Sequence, residues 1–315
     1  MARSIGSGTD AASGEHARSN VAFRPFSPFG VWSLTCGVEG ALRPVNTSEP
    51  LPEEFSEPLA RAASRTRPLA SQVLWYPEVT STNDVAARLA ERGGEEGVVV
   101  LADGQTAGRG RRGREWASPP GAGVYATVIL RPTRTVVPLL TIAAGVALAD
   151  GIESATGLRV CLKWPNDIVV GDSRSAAHRK LAGILAEGGT GQDDGAWVVL
   201  GFGINVLPGA YPPDVAGRAT SLEAELGRPI DRGFLLVECL AGLSSRYAEL
   251  RASHVAKVLA AWRSRAGSTL GRRVEWNRDG RTHLGLAHDI DDSGALLVQT
   301  EGGLERVISG EVRWS

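Results

Sequence analysis

Along this chain, apolar positions fall into runs and periods that predict elements one after another. "SQVLWY" from Ser71 and "GVYATVIL" from Gly123 are short apolar runs bounded by turn residues, which predicts strands. "GVVVLAD" from Gly97 reads as a buried strand. "STNDVAARLAERGG" has helical spacing, with Ser81, Thr82 or Asn83 to cap it and Gly93 to end it. "VPLLTIAAGVALADGIESATG" predicts a long apolar helix with a proline near its start and a glycine at its end. "RVCLKW" and "DIVV" predict strands split by Pro165 and Asn166, and "KLAGILAEG" and "AWVVLGFGINV" predict two neighbouring strands. Phe234, Val237, Leu240, Tyr247 and Leu250 recur at near-helical spacing, and "VAKVLAAWRSR" predicts a further helix. From Leu270 to Trp314, short segments alternate with Gly and Asp turns, as in a small barrel. The expected fold class is α+β, a mixed α/β arrangement. A mixed sheet flanked by helices spans residues 71–267, and a small β-barrel spans 268–315.

Residues 1–70 break this order. Pro25, Pro28, Pro44, Pro50, Pro52, Pro58 and Pro68 interrupt them, and neither period persists. A disordered N-terminal extension is expected there, and a chain beginning near Arg67 is expected to fold. Hydrophobic residues are 43% and charged residues 22%, with a net charge of −1. That balance argues against a basic nucleic-acid-coating domain. Cys36, Cys161 and Cys239 form no CxxC pair, so neither a disulfide framework nor a zinc site is suggested. No run approaches the ~18 apolar residues of a membrane span. The expectations are a reducing, cytoplasmic setting, no membrane and no nucleic acid.

Candidate chemistry centres on "GQTAGRGRRGREWASP", which holds Arg109, Arg111, Arg112 and Arg114 among glycines. "GRGRRG" matches the dinucleotide fingerprint GxGxxG in letters only. That fingerprint needs the third glycine to open a helix, and here Pro119 and Pro120 follow. No GxxxxGK[ST] is present either. Glycines let backbone N–H groups approach an anion, and arginines add forked donors for phosphate or carboxylate. The loop is therefore expected to stay mobile alone and to order over a bound anion, excluding water. "KWPNDI" brings Lys163, Asn166 and Asp167 to a strand break, where a carboxylate could meet a metal ion beside a triphosphate. Lys180 opens an apolar strand, and "GFGINV" carries Asn205 behind two glycines.

Together, "TSTND", "GQTAGRGRRGREWASP", "KWPNDI", "KLAGIL" and "GFGINV", in this order, resemble the biotin–protein ligase family, over roughly residues 71–315. The resemblance implies a class-II-synthetase-like sheet and an SH3-like C-terminal barrel. It implies ATP and biotin as substrates, Mg²⁺, a biotinyl-5′-AMP intermediate, and transfer to a lysine of a biotin carboxyl carrier domain. Carried over by motif, Ser81, Thr82, Asn83 and Gln105 would bind the biotin head group, with Gly108, Arg109, Gly110 and Arg111 over its tail. Lys180, Arg109 and Arg111 would serve catalysis. Arg111, Arg114, Trp116, Lys163, Asn166, Asp167, Asn205 and Glu311 would surround ATP, and Asp167 would hold Mg²⁺. Arg313 would substitute for an arginine that some members carry further on. The protein would be a monomer or homodimer. Lipoate ligases share the fold but lack the "GRGRRG" loop. Ligase–repressors add an N-terminal winged helix, for which residues 1–70 are too rich in proline.

Overall fold

The computed structural model describes residues 24–25, 32–33, 48–171, 178–190, 196–278, 280–308 and 312–314. Two short strands come first, β1 (Arg24–Pro25) and β2 (Trp32–Ser33), then helices α1 (Glu53–Arg61) and α2 (Ala63–Thr66). There follow β3 (Gln72–Val79), α3 (Thr82–Glu91), β4 (Val98–Gln105), β5 (Gly123–Leu130) and the long α4 (Leu140–Thr156). A hairpin, β6 (Cys161–Lys163) and β7 (Asp167–Val170), leads to β8 (Arg179–Thr190) and β9 (Ala196–Asn205). Helices α5 (Leu222–Leu226), α6 (Arg232–Arg251) and α7 (Val255–Arg265) complete this part.

These nine strands form one mixed sheet, with β8, β9, β5, β4 and β3 side by side. β3 and β4 pair in parallel; β4–β5, β5–β9 and β8–β9 are antiparallel. β2 and β7 both pair with the outer edge of β8, at different points along it. Side chains of a strand alternate between the two faces. Val198, Leu200, Phe202 and Ile204 of β9 point into the main core, beneath α4, α6 and α7. Trp197 and Val199 point the other way, into a smaller core under α3 with Val85, Ala86, Val100 and Ile129. One face of the sheet is thus covered by helices, and the other only partly, by α3.

Helix α4 is apolar and almost wholly buried from Leu140 to Ala149, with Asp150 and Glu153 on its outer side. Val137–Thr156 is long and apolar enough to cross a membrane by length and composition, contrary to the expectation that no such run exists. Here 67% of that window is buried inside the protein. Gly151 and Gly242 let α4 and α6 touch backbone to backbone: a Cβ on Gly242 would lie 2.7 Å from the Ala147 carbonyl oxygen. Phe234 departs from its expected place on the apolar face. It sits in the first turn of α6, 43% exposed, its N–H donating to the Asp231 cap.

The expected disorder up to residue 70 is corrected for residues 48–70; residues 1–47 lie outside the described residues apart from β1 and β2. Phe55 and Leu59 of α1 are buried in the main core. Pro58 can donate no hydrogen bond to Glu54, and that carbonyl packs against Gly233 of α6, where a Cβ would lie 1.8 Å away. Arg65 of α2 forks onto Glu238 at 2.7 and 2.8 Å, which holds the Glu238 carboxyl below its usual range. Of the prolines that suggested disorder, Pro52 precedes a short docked helix and Pro58 lies inside it.

The last part is a five-stranded antiparallel sheet. Its strands are β10 (Arg273–Arg278), β11 (Arg281–Ile290), β12 (Leu296–Thr300), β13 (Gly303–Val307) and β14 (Val312–Trp314). They run in the order β13-β12-β11-β10-β14.

Candidate active site

The half of the sheet face that α3 leaves open is floored with glycine. Gly183 of β8 pairs with Gly203 of β9, and Leu185 pairs with Gly201. A Cβ on Gly201 would lie 2.0 Å from Asn83 Oδ1, and one on Gly203 would lie 2.4 Å from Trp116 Nε1. Any side chain there would displace the groups resting on the sheet. The resulting cleft has a volume of about 260 Å³.

One end is a tightly bonded polar corner at the start of α3. The Thr82 N–H donates to Gln105 Oε1 at 2.8 Å, and Gln105 Nε2 donates to Ser118 Oγ at 2.7 Å. The Thr127 hydroxyl lies 2.8 Å from Thr82 Oγ1 and 2.7 Å from Asn83 Oδ1. Asn83 Nδ2 donates to Glu187 Oε2 at 2.8 Å. Ser81, Thr82 and Asn83 are each nearly inaccessible, so these groups are fixed before any ligand arrives. Ser81 caps α3 by position but accepts no capping bond through its side chain.

The other end gathers cations around one carboxylate. Lys180 Nζ lies 2.6 Å from Asp167 Oδ1 and 5.1 Å from the centre of the Trp116 ring. Strand alternation alone would put Lys180 and Gly183 on opposite faces. An irregularity in the β7–β8 register between Ile168 and Val169 brings them to the same side, with Lys180 Nζ 3.3 Å from where a Gly183 Cβ would be. Lys163, paired with Asp167 across the hairpin, lies 5.7 Å from the centre of the Trp314 ring. Burial pulls the Lys163 ammonium below its usual value, against the opposing pull of Asp167. Burial, with Arg112 beside it, does the same to the Arg111 guanidinium. Cations destabilised in this way gain from an arriving anion.

The turn bearing these residues is fastened to the C-terminal sheet. Trp164 Nε1 donates to the Gly294 carbonyl at 2.9 Å, and the Trp164 N–H donates to Thr269 Oγ1 at 2.8 Å. Asn166 Nδ2 donates to the Ile184 carbonyl at 2.8 Å.

The arginine loop forms the roof. It is not a bare run of like charges. Arg109 Nη2 lies 2.7 Å from Asp84 Oδ1 and 2.8 Å from Glu187 Oε2. The Gly110 N–H donates to the Arg114 carbonyl at 2.7 Å, and the Trp116 N–H to the Gly108 carbonyl at 2.8 Å. Arg112 has φ +59°, unusual for a residue with a side chain. Arg111 Nη1 reaches Asn166 Oδ1 at 3.4 Å, across the cleft.

Most residues singled out in the sequence converge here: the α3 corner, Arg109, Gly110, Arg111, Arg114, Trp116, Lys163, Asn166, Asp167 and Lys180 all line the cleft. Gly108 does not; a Cβ on it would lie 2.4 Å from the Trp116 carbonyl oxygen, so it folds the loop on itself. Asn205 is buried outside the lining, its Nδ2 donating to the Thr220 carbonyl at 2.9 Å. It steadies the segment whose Arg218 carbonyl accepts the Lys180 N–H. Glu311 lies outside the described residues. Arg313 turns away, 74% exposed and 3.8 Å from Glu275, whereas Val312 and Trp314 of the same strand line the cleft. Sequence reading missed Trp314, whose alternation with Arg313 was the available signal. It also missed Thr127 and Glu187, which sit in apolar runs far from the motifs.

A polar corner, a cation cluster and an arginine-rich roof thus share one sheet face over a floor of main chain. Residues 75–205 match the model of the Biotin/lipoate A/B protein ligase family, and residues 269–313 match the Biotin protein ligase C terminal domain. The chain is 34% identical over 265 residues to the bifunctional ligase/repressor BirA of Bacillus subtilis, covering 83% of this chain and 79% of that one. It is 36% identical over 241 residues to the biotin–[acetyl-CoA-carboxylase] ligase of Mycobacterium tuberculosis, covering 74% and 85%. A solved biotin protein ligase from Aquifex aeolicus, in complex with biotin and ATP, superposes with a TM-score of 0.66 at 28% identity. That match covers 78% of this chain and 99% of the Aquifex chain. The chain belongs to the biotin protein ligases.

Proposed function

We propose that this cleft carries out both half-reactions of biotin transfer without an enzyme-bound covalent intermediate. A biotin carboxylate oxygen attacks the α-phosphorus of ATP. The bond from that phosphorus to the bridging oxygen breaks, pyrophosphate leaves, and biotinyl-5′-AMP remains. The amine of an acceptor lysine then attacks the acyl carbon, AMP departs with the C–O bonding pair, and the attacking nitrogen loses a proton. The acceptor is a lysine of a biotin carboxyl carrier domain.

The observation that carries this reading is the pairing of the α3 corner with the cation cluster on one open sheet face. Thr82, Asn83 and Gln105 offer fixed donors and acceptors to a small polar head group, with Ser81 beside them. Lys180 then lies between carboxylate and α-phosphate, leaving Asp167 as the anions arrive, and relieves their repulsion. Arg111 closes from the roof, Trp116 and Arg114 cover the nucleotide, and Lys163 and Asn166 meet its phosphates.

Asp167 would hold Mg²⁺. Among the described residues no three His, Cys, Asp or Glu side chains converge. One carboxylate beside a triphosphate site suits a hard cation that takes its other oxygens from phosphate and water. When bound, the ion neutralises phosphate charge. We also read the five C-terminal strands as an SH3-like barrel, supported by their consecutive antiparallel pairing and the bulge in β11 at Ala287 and Asp289.

Purified protein incubated with biotin, ATP, Mg²⁺ and a biotin carboxyl carrier domain tests the reading by mass spectrometry. One biotinyl group on one lysine is expected. An unmodified acceptor, with no pyrophosphate released, would overturn it.

A further inference from the structure

We propose that Glu187 is a positioning residue. With Asp84 it fixes the first arginine of the roof loop and joins that loop to the head-group corner, and so retains the adenylate. The inference rests on the reading of the cleft as the site of biotin activation.

A single carboxylate oxygen joins the two parts. Glu187 Oε2 accepts from Asn83 Nδ2 and from Arg109 Nη2, each at 2.8 Å. Asn83 belongs to the corner at the start of α3, and Arg109 belongs to the roof. The same Arg109 nitrogen lies 2.7 Å from Asp84 Oδ1, on the first turn of α3. Roof and corner are therefore tied through two carboxylates that belong to the protein. The Glu187 side chain is only 14% exposed, so its bonds meet little competition from water. Charge-assisted bonds of this kind are shorter and roughly twice as strong as neutral ones.

This changes the part Arg109 plays. Sequence reading gave it a ligand anion as partner, whereas here two carboxylates already neutralise its charge. The forked cation left to reach over the cleft toward Asn166 is Arg111, two residues on. Arg109 is the fixed point of the roof, and the stretch beyond it turns through left-handed backbone at Arg112 (φ +59°) and Gly113 (φ +71°). Asp84 also favours the N-terminus of α3 electrostatically, but that role does not require Glu187 or Arg109.

The test reads retention of the intermediate. Enzyme is loaded with biotin and radiolabelled ATP, and the lifetime of bound adenylate is followed by filtration, with labelling of a bystander protein in parallel. Glu187→Gln keeps an acceptor for Asn83 but removes the charge facing Arg109. It should shorten the bound lifetime on the order of tenfold, with a matching rise in bystander labelling per pyrophosphate released. Asp84→Asn, at the more exposed end, should act in the same direction, and it carries the test if Glu187→Gln does not fold. In a double-mutant cycle, Glu187→Gln should add little to Arg109→Gln, because both act through one contact. Loss of fold stability alone would change the melting temperature without this coupling. Unchanged lifetimes in both variants, or full additivity with Arg109→Gln, would overturn the inference while leaving the proposed function intact. A wild-type enzyme that forms no adenylate would sink both.

Discussion

Lys180 is the residue on which the proposed chemistry turns. Its ammonium is held by Asp167 at 2.6 Å and lies over the Trp116 ring, so it is in place before substrate arrives. Removing one preorganised electrostatic group typically lowers the rate by about 10²–10³. Lys180→Ala should slow pyrophosphate release in the presence of biotin and ATP by that factor, and a near-normal rate would remove the lysine from the mechanism. Gly201 makes a different prediction. A methyl group there would collide with Asn83, since the Cβ position is 2.0 Å from Oδ1. Asn83 cannot yield easily, because Thr127 and Glu187 hold it. Gly201→Ala should therefore raise the KM for biotin on the order of tenfold, as the loss of one well-placed hydrogen-bonding group would. Its KM for ATP, set at the far end of the cleft, should change little. Steady-state kinetics with each substrate varied would separate the two, and equal shifts would refute the account.

Among the elements, strands were legible wherever apolar runs met turn residues. β5 and α7 begin and end where the pattern predicted, and β4, β8 and β9 fall within two residues. The motifs converge on one cleft because many of its residues sit at strand ends and turns, where polar residues interrupt apolar runs. What sequence could not supply was pairing across distance. Glu187 reads as an ordinary charge in a strand until β8 is laid beside α3. Helix α1 was missed for a related reason. Pro52 and Pro58 break any local helical argument, and only the docking surface on α6 makes the turn stable. Its loss should therefore matter. A chain beginning near residue 48 is the reference for melting temperature, since it and a shorter chain both lack β1 and β2. One beginning at Arg67 loses Phe55, Leu59 and the Arg65–Glu238 fork. At about 1.5–3 kcal/mol for each buried apolar side chain, a fall in Tm on the order of 10 °C is expected by calorimetry. Equal melting of both chains would return the segment to the status of an appendage.

At the scale of the whole molecule, the C-terminal part holds the turn that bears Lys163, Asn166 and Asp167. Trp164 is 3% exposed and reaches Gly294 in the β11–β12 connection, which Asp291 in turn organises by accepting from the Ser293 and Ala295 N–H groups at 2.9 and 3.0 Å. The same sheet lends Trp314 to the cleft wall. A change in the C-terminal part should thus be felt at one end of the site. Trp164→Phe keeps an aromatic ring, a smaller one, and loses the bond to Gly294. It should raise the KM for ATP several-fold, on the order expected for one lost buried hydrogen bond, and leave the KM for biotin near its wild-type value. Parallel changes in both constants would mean that the two parts of the chain communicate in some other way.

The glycine floor has a consequence for inhibitor design. Where a ligand rests on main chain, two related enzymes offer it nearly the same surface, whatever their side chains. A compound that draws its affinity from Gly183, Gly201 and Gly203 will be hard to evade, because each escape mutation adds a Cβ that also evicts Trp116 or Asn83. The side chains at the rim, Arg112, Arg114 and Trp314 among them, are under no such constraint from the floor.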